Sequence, residues 1–151
     1  MALIHPDDLI RRLRLDRHRC FVISGKPRAG KTRLAQAMAT RYNGKYVDLL
    51  ALFAADPVLC ADLDIFTPKK FKEYLMPYAT GDLVLVDEME FLWHRWDSAE
   101  KEQFLSILDK WEKPAFFGVF LPPDPVLDNF VLKDQDRLPR KFALHELQAF
   151  G

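Results

Sequence analysis

Cysteine and glycine are scarce: two and six among 151 residues. The first leaves no disulfide framework, and the second excludes a collagen-like or glycine-rich low-complexity chain. Net charge is missing as well, because 22 Lys and Arg balance 22 Asp and Glu, which rules out a uniformly basic nucleic-acid-coating protein. No stretch approaches the roughly 18 uninterrupted apolar residues of a membrane span. The opening MALIHPDDLIRRLRL lacks the charged-then-apolar pattern of a signal peptide. Cys20 opens an apolar run where a buried free thiol is ordinary, so a reducing, cytoplasmic setting is expected. No internal repeat is visible. What remains, 49% hydrophobic and 13% aromatic, is the composition of one globular domain with a real core.

The balanced charge is unevenly distributed. Residues 1–45 carry 11 basic and 3 acidic side chains, and the rest of the chain is correspondingly acidic. Arg11, Arg12, Arg14, Arg17 and Arg19 form a basic N-terminal segment. It reads as a solvated helix face, or as a surface that meets DNA phosphates or an acidic partner.

Strand-length apolar runs alternate with segments of helical period, which predicts an α/β fold with a mainly parallel sheet of about five strands. A first helix starts at Asp7 or Asp8, and strands are expected at Cys20–Ser24, Tyr46–Leu50, Leu83–Val86, Ala115–Leu121 and Lys141–Leu147. Helices are expected over Lys31–Tyr42 and Pro68–Met76, the second with Thr67 as cap and Phe66 stapled to Phe71. Asp97 and Glu100 form a capping box for a helix running toward Trp111. Residues 51–66 read as a connection with one short helix, Trp93 and Trp96 as part of a loop, and Pro122, Pro123 and Pro125 as a rigid turn.

Gly25-Lys26-Pro27-Arg28-Ala29-Gly30-Lys31-Thr32 matches G-x-x-x-x-G-K-[ST], directly after a strand and directly before a helix. Glycines let the backbone approach an anion so that successive N–H groups converge on phosphate oxygens at a positive helix terminus. Lys31 supplies a point charge for β- and γ-phosphates, and Thr32 a hydroxyl for Mg²⁺. The segment Gly25, Lys26, Pro27, Arg28, Ala29, Gly30, Lys31, Thr32 and Arg33 is therefore the candidate nucleotide cradle. Such a loop needs a carboxylate at the end of a neighbouring strand, and Asp87, after Leu83-Val84-Leu85-Val86, is the candidate metal ligand with Thr32. Glu88, one step beyond, can deprotonate a water for in-line attack, which is hydrolase rather than kinase chemistry. Glu90 reads equally as a plain loop acid.

With these residues in place the sequence resembles the P-loop NTPases with a catalytic glutamate, and among them the AAA+ ATPases. Pro27 stands where many AAA+ phosphate loops carry a proline, Asp87-Glu88 looks like the Walker B pair, and Arg28 replaces a glycine often seen inside the loop. Arg137-Leu-Pro-Arg140-Lys-Phe142 resembles the arginine-finger region. The likeness spans roughly residues 20–147 and implies a three-layer P-loop NTPase core without a C-terminal lid, residues 1–19 forming a basic helix ahead of a domain over 20–151. It implies ATP and Mg²⁺ as cofactors, catalytic roles for Lys31 and Glu88, and Arg137 or Arg140 reaching the γ-phosphate in a neighbouring subunit of a homo-oligomer or larger ATPase complex. Phe120-Leu121-Pro122 departs from the pattern by lacking a polar sensor residue. Small size, a bare core and a basic N-terminal helix together look like the small P-loop proteins of bacterial BREX phage-defence systems, the BrxF family.

An ATPase subunit is thus the first expectation. A nucleotide-gated binding module with negligible turnover is the second. A small-molecule kinase using Asp48 near its acceptor, or an ATP-binding subunit of the tRNA-threonylcarbamoylation type, are further alternatives. Trp93-His94-Arg95-Trp96 reads as packing around one loop before it reads as a base-stacking contact. His94 has no partner at zinc-ligand spacing.

Overall fold

The computed structural model describes residues 3–148 and 150; Met1, Ala2, Ala149 and Gly151 lie outside the described residues, so the expectations at the two ends of the chain reach beyond them. Five strands form one all-parallel sheet: β1 (Phe21–Ser24), β2 (Lys45–Asp48), β3 (Val84–Asp87), β4 (Phe117–Leu121) and β5 (Lys141–Ala143), in the order β2-β3-β4-β1-β5. β3 and β4 are buried at every position, as strands covered on both faces must be.

The helices are α1 (Pro6–Arg14), α2 (Lys31–Arg41), α3 (Leu49–Ala54), α4 (Pro57–Ala61), α5 (Pro68–Leu75), α6 (Glu90–Trp93), α7 (Ser98–Lys110) and α8 (Pro125–Asn129). They cover the sheet in two layers because alternate strand residues point to opposite faces. On one face Phe21, Ile23, Leu85 and Phe120 pack against Leu9 and Leu13 of α1 and Leu34 and Met38 of α2. On the other, Val22, Val86 and Val119 meet Phe53, Phe71, Trp93 and Phe104 from α3, α5, α6 and α7. The result is a three-layer α/β/α domain. No helix among the described residues is long and apolar enough to cross a membrane.

The N-terminal segment does not stand apart from the domain. Leu9, Ile10 and Leu13 are buried in the same core layer as α2, and Ile4 bridges in parallel to Leu147. α1 begins at Pro6, with His5 Nδ1 accepting from the Asp7 N–H. The Asp7 carboxylate is engaged elsewhere, taking two bonds from Arg41 and one from the Tyr42 hydroxyl. Of the basic cluster, Arg12 pairs with buried Asp134 at 2.7 Å, and Arg19 donates to the carbonyls of Asp16 and Arg14. Two of the five arginines are therefore structural rather than free for a partner.

Other expectations shift at element ends. The second strand stops at Asp48, whose carboxylate accepts from Ala51 N at 3.0 Å and so starts α3; the carboxylate proposed near a kinase acceptor is thereby a helix cap. Residues 51–66 hold the rest of α3, then α4 and a 3-10 turn rather than one short helix. Trp93 closes helix α6, and Pro125 opens α8 instead of prolonging a turn. The last strand ends at Ala143, where Glu146 Oε1 accepts the Ala143 N–H and a 3-10 turn follows. The Asp97–Glu100 capping box is present in both directions, and Phe66 and Phe71 lie 6.2 Å apart between ring centroids. Burial pushes the Cys20 thiol up to about 12, so it packs as a small apolar group.

Candidate functional site

β1 and β4 are neighbours, yet the chain leaves β1 toward one sheet edge, to β2, and leaves β4 toward the other, to β5. The connections part there, and a crevice opens beyond the carboxyl ends of the strands, the common ligand position in parallel α/β sheets. It has a volume of about 540 Å³, and residues 27, 28 and 30–33 with Glu88, Glu90, His94 and Pro122 shape it.

The loop between β1 and α2 forms its floor. The Gly25 N–H donates to Leu121 O at 3.1 Å, tying the loop to β4, and Ala29 N–H donates to Lys26 O within it. Arg28 and Gly30 sit at φ 64° and 107°. Those left-handed values account for a glycine at position 30 and make Arg28 a residue held at a cost of about 1 kcal/mol. α2 then starts at Lys31 with no side-chain cap, leaving its first N–H groups without intrahelical partners. The side chains of Lys26 and Ala29 are exposed outside the cleft, whereas Pro27, Arg28, Lys31, Thr32 and Arg33 line it.

Lys31 is 7% exposed. Its ammonium donates to Gly25 O and lies 3.3 Å from Glu90 Oε1. Thr32 Oγ1 donates to Asp87 Oδ2 at 2.6 Å and lies 3.1 Å from Glu88 Oε1. The same Asp87 oxygen accepts the Tyr46 hydroxyl at 2.8 Å. Asp87 is buried at the end of β3. That strand is not adjacent to β1: β4 lies between them, and the start of α2 bridges the gap by presenting Thr32 to the acid.

Glu88 follows at φ 60°, a left-handed conformation unusual for a glutamate. Burial raises its pKa above the ordinary carboxylate value, and the negative charges of Asp87, Glu90 and Asp48 push the same way, against the Thr32 bond. Burial and the Asp87 carboxylate likewise hold the Tyr46 proton tightly. A base of raised pKa beside a hydroxyl–carboxylate pair, facing a cationic loop, can hold a polyanion and take a proton from water.

The hard oxygens of Thr32 and Asp87 suit Mg²⁺, which needs few protein ligands when phosphates and water supply the rest. Among the described residues no cluster of three or more His, Cys, Asp and Glu could hold a metal ion unaided.

The two arginines expected near a partner's nucleotide separate. Arg140 is 1% exposed. Its guanidinium donates to the carbonyls of Lys133, Cys20 and Asp109 and to the Asp109 carboxylate. A finger must reach another subunit, and a buried arginine with its donors engaged does not, so Arg140 is a structural residue. Arg137 is exposed on the turn before β5, at the amino ends of the strands, whereas the cleft lies beyond their carboxyl ends. Trp93 and Trp96 are buried, donating to Asp124 Oδ2 and Phe66 O, so neither is available to stack on a base.

Sequence reasoning missed Tyr46 and left Glu90 undecided. Tyr46 carries no motif signal. Glu90 follows the acidic pair by two residues, a spacing that brings it back over the loop only because one turn of helix starts there. No known family model matches the chain, and no curated protein matches it.

Proposed function

We propose that the chain is a Mg-ATP-binding P-loop NTPase of AAA+-like type that hydrolyses ATP, its site completed by self-assembly or by a partner. The observation that carries this reading is the meeting of Thr32 with Asp87 and Glu88, at 2.6 and 3.1 Å, over the loop that holds Lys31. Two sequence-distant pairs, Lys31-Thr32 and Asp87-Glu88, with separate tasks in phosphoryl transfer converge at one cleft.

In this reading the free N–H groups at the start of α2 and the Lys31 ammonium bind the β- and γ-phosphates. Thr32 Oγ1 and the Asp87 carboxylate would hold Mg²⁺, which when bound neutralises charge shared by the β- and γ-oxygens. Glu88 accepts a proton from the attacking water as its oxygen bonds to the γ-phosphorus and the bond to the β-phosphate oxygen breaks. Its raised pKa makes it a better base than an ordinary carboxylate. Arg137, exposed and far from its own cleft, is the remaining arginine that can act in trans. The likeness to the small P-loop proteins of BREX systems extends the proposal to anti-phage defence.

A nucleotide-gated module with negligible turnover is favoured by one feature: Pro122, at the end of β4, lines the cleft where a polar γ-phosphate sensor would stand. Phosphate release from Mg-ATP, followed over a hundredfold range of protein concentration beside Glu88→Gln and with nucleotide binding measured separately, separates the two. Hydrolysis predicts a specific activity that rises with concentration and falls at least a hundredfold in the variant. Tight binding without release at any concentration supports the gated module.

A further inference from the structure

The reaction above gives Glu90 no task, yet its carboxylate holds the most important cation in the cleft. The Lys31 side chain is 7% exposed, and its ammonium has two partners, Gly25 O and Glu90 Oε1. The first is a fixed part of the loop backbone. The second sits at the first position of a one-turn helix and is 28% exposed, free to swing toward solvent. An ammonium taken out of water without a counter-charge is costly, so Lys31 needs an anion beside it. The chain supplies its own. Nothing else in the structure engages the Glu90 carboxylate among the described residues, so the Lys31 contact accounts for its inward position. A phosphate group arriving at the same ammonium competes for the same donors and meets a third carboxylate besides Asp87 and Glu88.

The geometry points to Glu90 as an internal counter-anion of Lys31 that a phosphorylated ligand must displace, and so as the residue that sets the affinity of the cleft for phosphate chains. The inference rests on the phosphate-loop reading and adds a residue to it. Displacement falls only on ligands that reach Lys31. A nucleoside lacking phosphates leaves the Lys31–Glu90 contact in place and is indifferent to it. Release also frees the first residue of α6, whose carbonyl accepts the His94 N–H, so α6 is the element that yields on loading.

Isothermal titration calorimetry of the full chain with magnesium-free tripolyphosphate, and with adenosine as the uncharged control, compares the parent with Glu90→Gln. The expected result is tripolyphosphate binding about tenfold tighter in the variant, on the scale of one partly buried charge pair, with adenosine unchanged. Parent binding of tripolyphosphate with equal or weaker binding by the variant overturns the inference and leaves the phosphate loop intact. Binding by neither protein overturns the phosphate-loop reading itself, and this inference with it. Should the variant fail to fold, hydrogen exchange in the parent decides. Tripolyphosphate is expected to speed exchange at the His94 amide, and an unchanged or slower rate refutes the displacement.

Discussion

Two hydroxyls converge on one oxygen of Asp87, from Thr32 at 2.6 Å and Tyr46 at 2.8 Å. If Thr32 turns its oxygen to a metal, Tyr46 is left as the donor that fixes the rotamer of the acid. In the proposed reaction it would be a positioning residue, acting through Asp87 and not on phosphate. Tyr46→Phe keeps the ring and removes that donor. The free Mg²⁺ needed for half-maximal ATP binding is expected to rise about tenfold, the usual order for losing an outer partner of a metal ligand, while magnesium-free nucleotide binding stays within about twofold. Equal loss under both conditions, measured by fluorescence titration with a labelled nucleotide, would assign Tyr46 to packing alone. At this scale the sequence was legible where the chemistry is contiguous. Gly25 to Thr32 and Asp87-Glu88 are each one short run, and the fold brings the two runs together at Thr32. Tyr46 was illegible because its role depends on β2 pairing with β3, in which Tyr46 faces Leu85 and Asp48 faces Asp87, and no local pattern encodes which strands become neighbours.

Strand pairing also explains a glycine that has no turn to make. Gly118, inside β4, stands opposite Phe21 of β1, and a methyl group on it would come within 2.4 Å of the Phe21 ring. The ring lies across the glycine and packs edge-on to Phe116, 6.4 Å away between centroids. A parallel sheet covered on both faces has little room for the ring to retreat. Gly118→Ala is expected to destabilise the domain by about 2 kcal/mol, as overpacking does, seen as a lower denaturant midpoint at unchanged slope. Adding Phe21→Leu should recover part of the loss, because the two changes share one contact. Elements of ten residues or so could be read from the sequence, α7 because two or more turns of periodicity agree with a capping box and α2 because its periodicity follows directly on the glycine loop. α6 has four residues and α3 six, too short for a period to register. α3 starts at the local Asp48 side-chain cap, and α6 starts where β3 closes.

Across the whole molecule, Arg140 and Arg137 are three residues apart and do opposite things. Arg140 draws together the approach to β1 through Cys20 O, the end of α7 through Asp109, and the segment before β5 through Lys133 O. It thereby pins the amino ends of β1 and β5, away from the cleft at their carboxyl ends. Removing it strands a carboxylate and three carbonyls, so Arg140→Ala is expected to cost about 3 kcal/mol or more and to lower Tm by several degrees. Any loss of phosphate release in that variant should follow the loss of folded protein. Arg137 is exposed on the neighbouring turn and its side chain supports nothing in its own fold among the described residues, so Arg137→Ala should leave Tm unchanged. If the site is shared between copies, this variant loses the rise of specific activity with protein concentration while its ATP affinity stays at the parent value. Mixing it with Glu88→Gln then discriminates between assembly and isolation. In a shared site each variant contributes the group that the other lacks, and mixed assemblies regain release that neither protein has alone. In two independent sites the mixture only averages its components. Complementation therefore tests whether one surface arginine at the amino ends of the strands and a glutamate at their carboxyl ends belong to the same active site.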